Sequence, residues 1–72
     1  MENKEQDQLV RGTVIEALPN ATFRIRLEGG REIIAYLSGK MRMHRIKVLV
    51  GDNVGMEMSS PTDTKGRIRK RF

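Results

Sequence analysis

The clearest signal along the chain is a two-residue alternation of apolar and polar side chains, the period that sends successive residues to opposite faces of a β-strand. It is strictest in FRIRL, where Phe23, Ile25 and Leu27 fall on one face and Arg24 and Arg26 on the other. Just upstream, residues 9–18 (LVRGTVIEAL) form a strand candidate with Gly12 inside it, a residue that marks a bulge or a sharp bend in such a setting. Pro19-Asn20 supplies turn chemistry between the two. Gly29-Gly30 makes the next turn, and residues 32–38 (EIIAYLS) read as a third strand with Ile33, Ala35 and Leu37 inward and Ile34 and Tyr36 outward. These three strands predict an antiparallel meander.

Beyond Gly39 the alternation stops. In GKMRMHRIK the side chains are mostly unbranched and helix-tolerant, which predicts a single helical turn over residues 40–43, too short to be stable alone. Residues 46–50 are largely apolar and are expected to return to the core. Gly51-Asp52 then turns into a fourth strand, residues 53–58, whose Val54, Met56 and Met58 alternate inward. SSPTDTKG is a loop by composition, and residues 66–72 (GRIRKRF) form a short basic last strand with Ile68 inward and Arg67 and Arg69 outward. Residues 1–8 lack apolar periodicity and read as a flexible tail ahead of one domain, residues 9–72.

Five short strands with glycine-marked turns predict an all-β fold, a five-stranded antiparallel barrel of the OB type, because closure removes the exposed edges that invite aggregation. An SH3-like barrel is the competing topology. The helical insert between strands three and four favours the OB arrangement.

A chain of 72 residues has room for one lean core, and no disulfide can reinforce it because cysteine is absent. That absence fits a reducing compartment. His44 is the sole histidine, so neither a zinc centre nor a cofactor is expected. The opening MENKEQDQ is polar and mixed in charge, unlike a secretory signal, and no apolar run approaches the ~20 residues that span a bilayer. No membrane partner is expected.

Charge points instead to a polyanion. The net charge is +5, from 14 basic and 9 acidic residues, and the excess is concentrated in two stretches without acids, residues 40–47 and 65–71. In the first, Lys40, Arg42, His44, Arg45 and Lys47 stand on a projecting connection, able to neutralise RNA phosphates and reach a shallow RNA minor groove. Interspersed Met41, Met43 and Ile46 fit better as a cap over the barrel, with the cations keeping that cap soluble in the plainer reading. In the second stretch Lys65, Arg67, Arg69, Lys70 and Arg71 make a positive stripe, unless terminal cations here serve solubility alone. Tyr36, on an outer face near arginines such as Arg24, is a candidate base-stacking platform. With only Phe23 and Phe72 as further aromatics, the surface suits structured RNA better than unstructured RNA. Catalysis finds no support: there is no carboxylate dyad, no glycine-rich phosphate loop and no base beside Ser59-Ser60.

The segments RGTVIEALPNATFRIRL, YLSGKMR, GDNV and KGRI resemble bacterial and plastid translation initiation factor one, an S1-like OB family, over nearly the whole chain. The resemblance implies a monomeric cytoplasmic protein, bacterial or of the plastid stroma, that binds the small (30S) ribosomal subunit at its A-site region. It implies contacts with 16S rRNA and a neighbouring ribosomal protein, occlusion of the A site, and support for the two other initiation factors and thereby for initiator tRNA. By position, the family's RNA-contacting loop maps to Lys40, Met41, Arg42, Arg45 and Lys47, and its C-terminal basic residues map to Arg67 and Arg71, with Arg69, Tyr36 and Arg24 beside them. Tyr36 stands where a histidine is common, and Arg45 where a tyrosine is usual. A cold-shock type RNA chaperone and a structural ribosomal protein are the alternatives.

Overall fold

The computed structural model describes residues 9–60 and 62–72; the tail expected at residues 1–8 lies outside them. Five strands follow the alternation: β1 (Val10–Leu18), β2 (Thr22–Leu27), β3 (Glu32–Leu37), β4 (Asn53–Glu57) and β5 (Lys65–Arg71). One short helix, α1 (Gly39–Met43), lies between β3 and β4. The strands close into a barrel in the order β1-β2-β3-β5-β4, the all-β barrel expected from the sequence.

One detail of that expectation changes. The barrel is not antiparallel throughout: β3 and β5 run parallel, pairing Tyr36 with Arg67 and Leu37 with Ile68. A closed ring with an odd number of strands cannot alternate direction all the way round, so at least one neighbouring pair must be parallel. The other four pairings are antiparallel.

Inward positions are those that the alternation selected. Phe23, Ile25 and Leu27 from β2, Ile33 and Ala35 from β3, Val54 and Met56 from β4, and Ile68 from β5 are buried together with Val14. Leu37 and Met58 pack against this cluster from partly buried positions. Each aliphatic side chain so buried contributes about 1.5–3 kcal/mol relative to exposure.

Gly12 differs from expectation. The irregularity in β1 falls between Val14 and Glu16, leaving Ile15 without a partner on β2, whereas Gly12 pairs regularly with Leu27. Gly12 is needed for a close approach instead: a Cβ there would lie 2.5 Å from Ile25 Cγ2 and 3.0 Å from the carbonyl oxygen of Arg26. The strand bends at its bulge and pinches at its glycine.

Residues 46–50 also depart from expectation. Only Val48 is buried; Ile46, Leu49 and Val50 are exposed. The backbone explains this, because the segment forms no strand and ends in a turn fixed at the barrel rim. Asp52 accepts the Leu49 amide on its carboxylate (2.8 Å) and returns its own amide to the Leu49 carbonyl (3.0 Å). Gly51, at φ 98°, donates to the Val14 carbonyl at 2.8 Å. A turn so anchored directs Leu49 and Val50 away from the interior.

Candidate nucleic-acid interface

Ser38 begins the site. Its side-chain oxygen accepts the Met41 amide at 3.2 Å, capping the first turn of α1, and its amide donates to Ile68 of β5 at 3.0 Å, so the helix starts from a point fixed on the barrel. The helix ends at Met43, with His44 as its cap. The Ile46 amide reaches back to the Met41 carbonyl (3.0 Å) and the Arg45 amide to the Arg42 carbonyl (3.2 Å), the paired bonds of a Schellman closure. Arg45 occupies the left-handed position of that closure, at φ 54°, where glycine is the usual residue.

This geometry sorts the side chains of the 40–47 stretch. Met41 is 2% exposed and belongs to the core, in keeping with its reading as a cap over the barrel. Its burial follows from its place on the only face of α1 that meets the barrel. Met43, expected as a cap as well, is 76% exposed and is not one. Lys40, Arg42, His44, Arg45 and Lys47 are all exposed, and among the described residues no ion pair engages any of these five. This tip therefore presents its full positive charge.

The remaining candidates carry carboxylate partners. Arg24 Nε lies 2.9 Å from Glu16, and a second nitrogen of its guanidinium lies 3.9 Å from Glu32. Glu57 sits between Arg67 (3.8 Å) and Arg69 (3.2 Å). Arg71 lies 3.9 Å from Asp52 and donates to the Lys47 carbonyl at 2.8 Å. Pairs between such exposed groups add at most about 1 kcal/mol of stability each. Their larger effect is on charge: the β5 stripe is partly neutralised, and Arg71 is tied to the backbone of the cationic tip.

Tyr36 is 46% exposed at the end of β3 and lines a cleft of about 390 Å³ with Lys65, Arg67, Glu57 and Asp63. The cleft brings together an aromatic face, two cations and two carboxylates. The sequence gives no sign that Lys65 and Glu57 belong with Tyr36, because the parallel β3–β5 pairing that makes them neighbours leaves no local trace. Arg24 lies on the opposite neighbour of β3, and its register partner is Ile34 rather than Tyr36. Among the described residues, no group of three or more His, Asp or Glu side chains could hold a metal ion.

The family model for translation initiation factor 1A / IF-1 matches residues 1–72. The chain belongs to that family. A solution structure of translation initiation factor one from the Wolbachia endosymbiont of Brugia malayi is similar at 37% identity with a TM-score of 0.71, covering 99% of this chain and 86% of that one. YjeQ from Thermotoga maritima is similar at 30% identity and a TM-score of 0.71, over 89% of this chain but only 22% of its own length. YloQ, a circularly permuted GTPase, shares the fold at 21% identity and a TM-score of 0.71, over 100% of this chain and 25% of its own. Membership in the IF-1 family makes this chain a translation initiation factor of that type, built on the OB fold.

Proposed function

We propose that this IF-1 family chain binds the small ribosomal subunit at the A-site region, with its α1 tip against 16S rRNA and a neighbouring ribosomal protein beside it. Seated there it occludes the A site during initiation and supports the other two initiation factors, and through them initiator tRNA. It acts as a monomer in the bacterial cytoplasm and performs no chemistry of its own.

The observation that carries this reading is the contrast between the tip and the rest of the barrel. Among the described residues, Lys40, Arg42, Arg45 and Lys47 form a group of exposed cations in which none is paired with a carboxylate, and they stand on a turn fixed at both ends by Ser38 and the Ile46 closure. A cationic projection already held in place loses little conformational entropy on meeting a folded RNA. Arg67 and Tyr36, adjacent across β3 and β5, extend the surface with a fork and a ring for phosphate and base.

The test is binding to isolated 30S subunits with chemical probing of 16S rRNA. One molecule per subunit should protect decoding-site nucleotides and wash off at high salt. Absence of that protection at low salt removes the A-site reading, and retention through a salt wash favours a structural ribosomal protein.

A further inference from the structure

On the β1–β4 side of the barrel, away from the β3–β5 junction that carries Tyr36, Phe72 folds back against the outer wall. Its amide donates to the Asn53 carbonyl at 2.8 Å, which continues the β4–β5 edge by one residue. Beneath the ring is Gly55, where a Cβ would come within 3.2 Å of two ring carbons and 3.1 Å of Leu9 Cδ1. The glycine thus leaves a flat seat for an aromatic ring that remains half-exposed. Over the ring lies the Arg11 guanidinium, its Cζ 4.3 Å from the centroid, with Lys70 Nζ at 5.4 Å. Arg11 meets no carboxylate among the described residues.

Arg11 and Phe72 also line a cleft of about 390 Å³ that runs along β1 to Thr13, Asn53 and Arg26. Thr13 donates its hydroxyl to the Asn53 carboxamide oxygen at 3.0 Å, so the carboxamide nitrogen keeps its donors for a ligand. Arg26 is engaged by Glu32 at 3.4 Å, and Glu28 adds a carboxylate at the far end. The available cations, Arg11 and Lys70, therefore cluster at the Phe72 end of the cleft.

We propose that Phe72 and Arg11 form a second RNA contact, a platform on which one unpaired base of single-stranded RNA stacks, with its phosphate at Lys70 and its edge toward Asn53. A planar cation backed by an aromatic ring suits this ligand because every base offers a π-face and every nucleotide a phosphate. A purely acidic peptide would use the charge and leave the aromatic backing without a purpose. The inference rests on the chain being an RNA binder and not on its seat at the A site.

The chain contains no tryptophan, so Phe72→Trp in the full chain creates a unique reporter at the platform. Titration with a short single-stranded oligoadenylate should quench the introduced indole saturably. Arg11→Lys in that background keeps the charge but loses the planar layer, and should weaken binding by about tenfold. Arg11 is exposed and its replacement leaves the core intact, so a normal thermal melt is expected for the pair. An unquenched indole, an affinity unchanged by Arg11→Lys, or equal quenching by a polyglutamate peptide of matched charge would each overturn the proposal. Protection of 30S decoding-site RNA by the unsubstituted protein, scored separately, decides the A-site reading without bearing on this platform.

Discussion

Ile46 and Met41 are joined by a 3.0 Å bond from amide to carbonyl that closes α1 and forces the residue before Ile46, Arg45, into the left-handed region at φ 54°. For a residue with a Cβ this conformation costs roughly 1–2 kcal/mol. Arg45→Gly relieves that cost but enlarges the entropy of the unfolded chain. The expected net gain is about 0.5 kcal/mol, read as a rise of ~2–4 °C in melting temperature. If Arg45 is a phosphate contact, as proposed, the same variant should bind 30S subunits more weakly and with a shallower salt dependence, because it loses that cation. A melting temperature that falls would refute the strain.

Ser38 tests the other end of the helix. Ser38→Ala removes the oxygen that accepts the Met41 amide, leaving that buried donor unmet. The loss should be about 1 kcal/mol by urea denaturation. Ser38→Thr, which restores the acceptor, should recover most of it. Equal losses in both variants would assign the effect to tight packing around a nearly buried side chain rather than to capping.

Gly12 and Ile25 meet at a point of close approach in the barrel wall. The 2.5 Å approach of a Cβ at position 12 to Ile25 Cγ2 is joined by a backbone oxygen at 3.0 Å that cannot turn aside. Gly12→Ala is expected to cost about 1–3 kcal/mol, the range for an overpacked core. Gly39→Ala makes the comparison, since a Cβ there meets nothing within 4 Å. The two glycines look alike in the sequence, and urea midpoints should separate them.

That pair illustrates what local pattern reveals and what it hides. FRIRL alternates so strictly that its inward residues can be named one by one, and the core contains all three, while EIIAYL places Ile33 and Ala35 in the core and Leu37 against it. The short helix is visible in the unbranched GKMRM segment after Gly39. Ile46, Leu49 and Val50 run against the pattern because an apolar run carries no record of the Asp52 turn that directs it outward. The carboxylates that neutralise β5 are equally hidden. Glu57 is ten residues from Arg67 along the chain and meets it only because β4 and β5 pair across the barrel. Cation clusters are legible in a sequence; the charge they keep after folding is not.

Glu57 turns this point into a measurement. Glu57→Gln removes the one carboxylate shared by Arg67 and Arg69 while keeping a side chain of similar size. Its stability should change by less than about 1 kcal/mol, as expected of exposed pairs. Affinity for RNA should rise, and its dependence on salt should steepen by about one unit, as Arg67 loses its carboxylate partner. An unaltered slope would exclude Arg67 from the RNA interface.

Arg42 and Arg71 separate contact from positioning. Arg42 is exposed on α1 with no ion pair among the described residues, so Arg42→Ala should reduce 30S affinity and lower the salt slope by about one unit, the signature of one lost phosphate contact. Arg71 is engaged within the protein: its guanidinium donates to the Lys47 carbonyl at 2.8 Å and approaches Asp52 at 3.9 Å. One guanidinium nitrogen makes both contacts, and Arg71→Lys keeps the charge but loses the rigid planar group that aims that nitrogen. If Arg71 acts by holding the tip against β5, this variant should bind 30S subunits several-fold more weakly with an unchanged slope, and amides near Lys47 should exchange faster with solvent. A lowered slope without faster exchange would instead make Arg71 a phosphate contact. The geometry favours the first outcome because a guanidinium already bonded to a backbone carbonyl must release that bond before it can serve RNA in the same orientation.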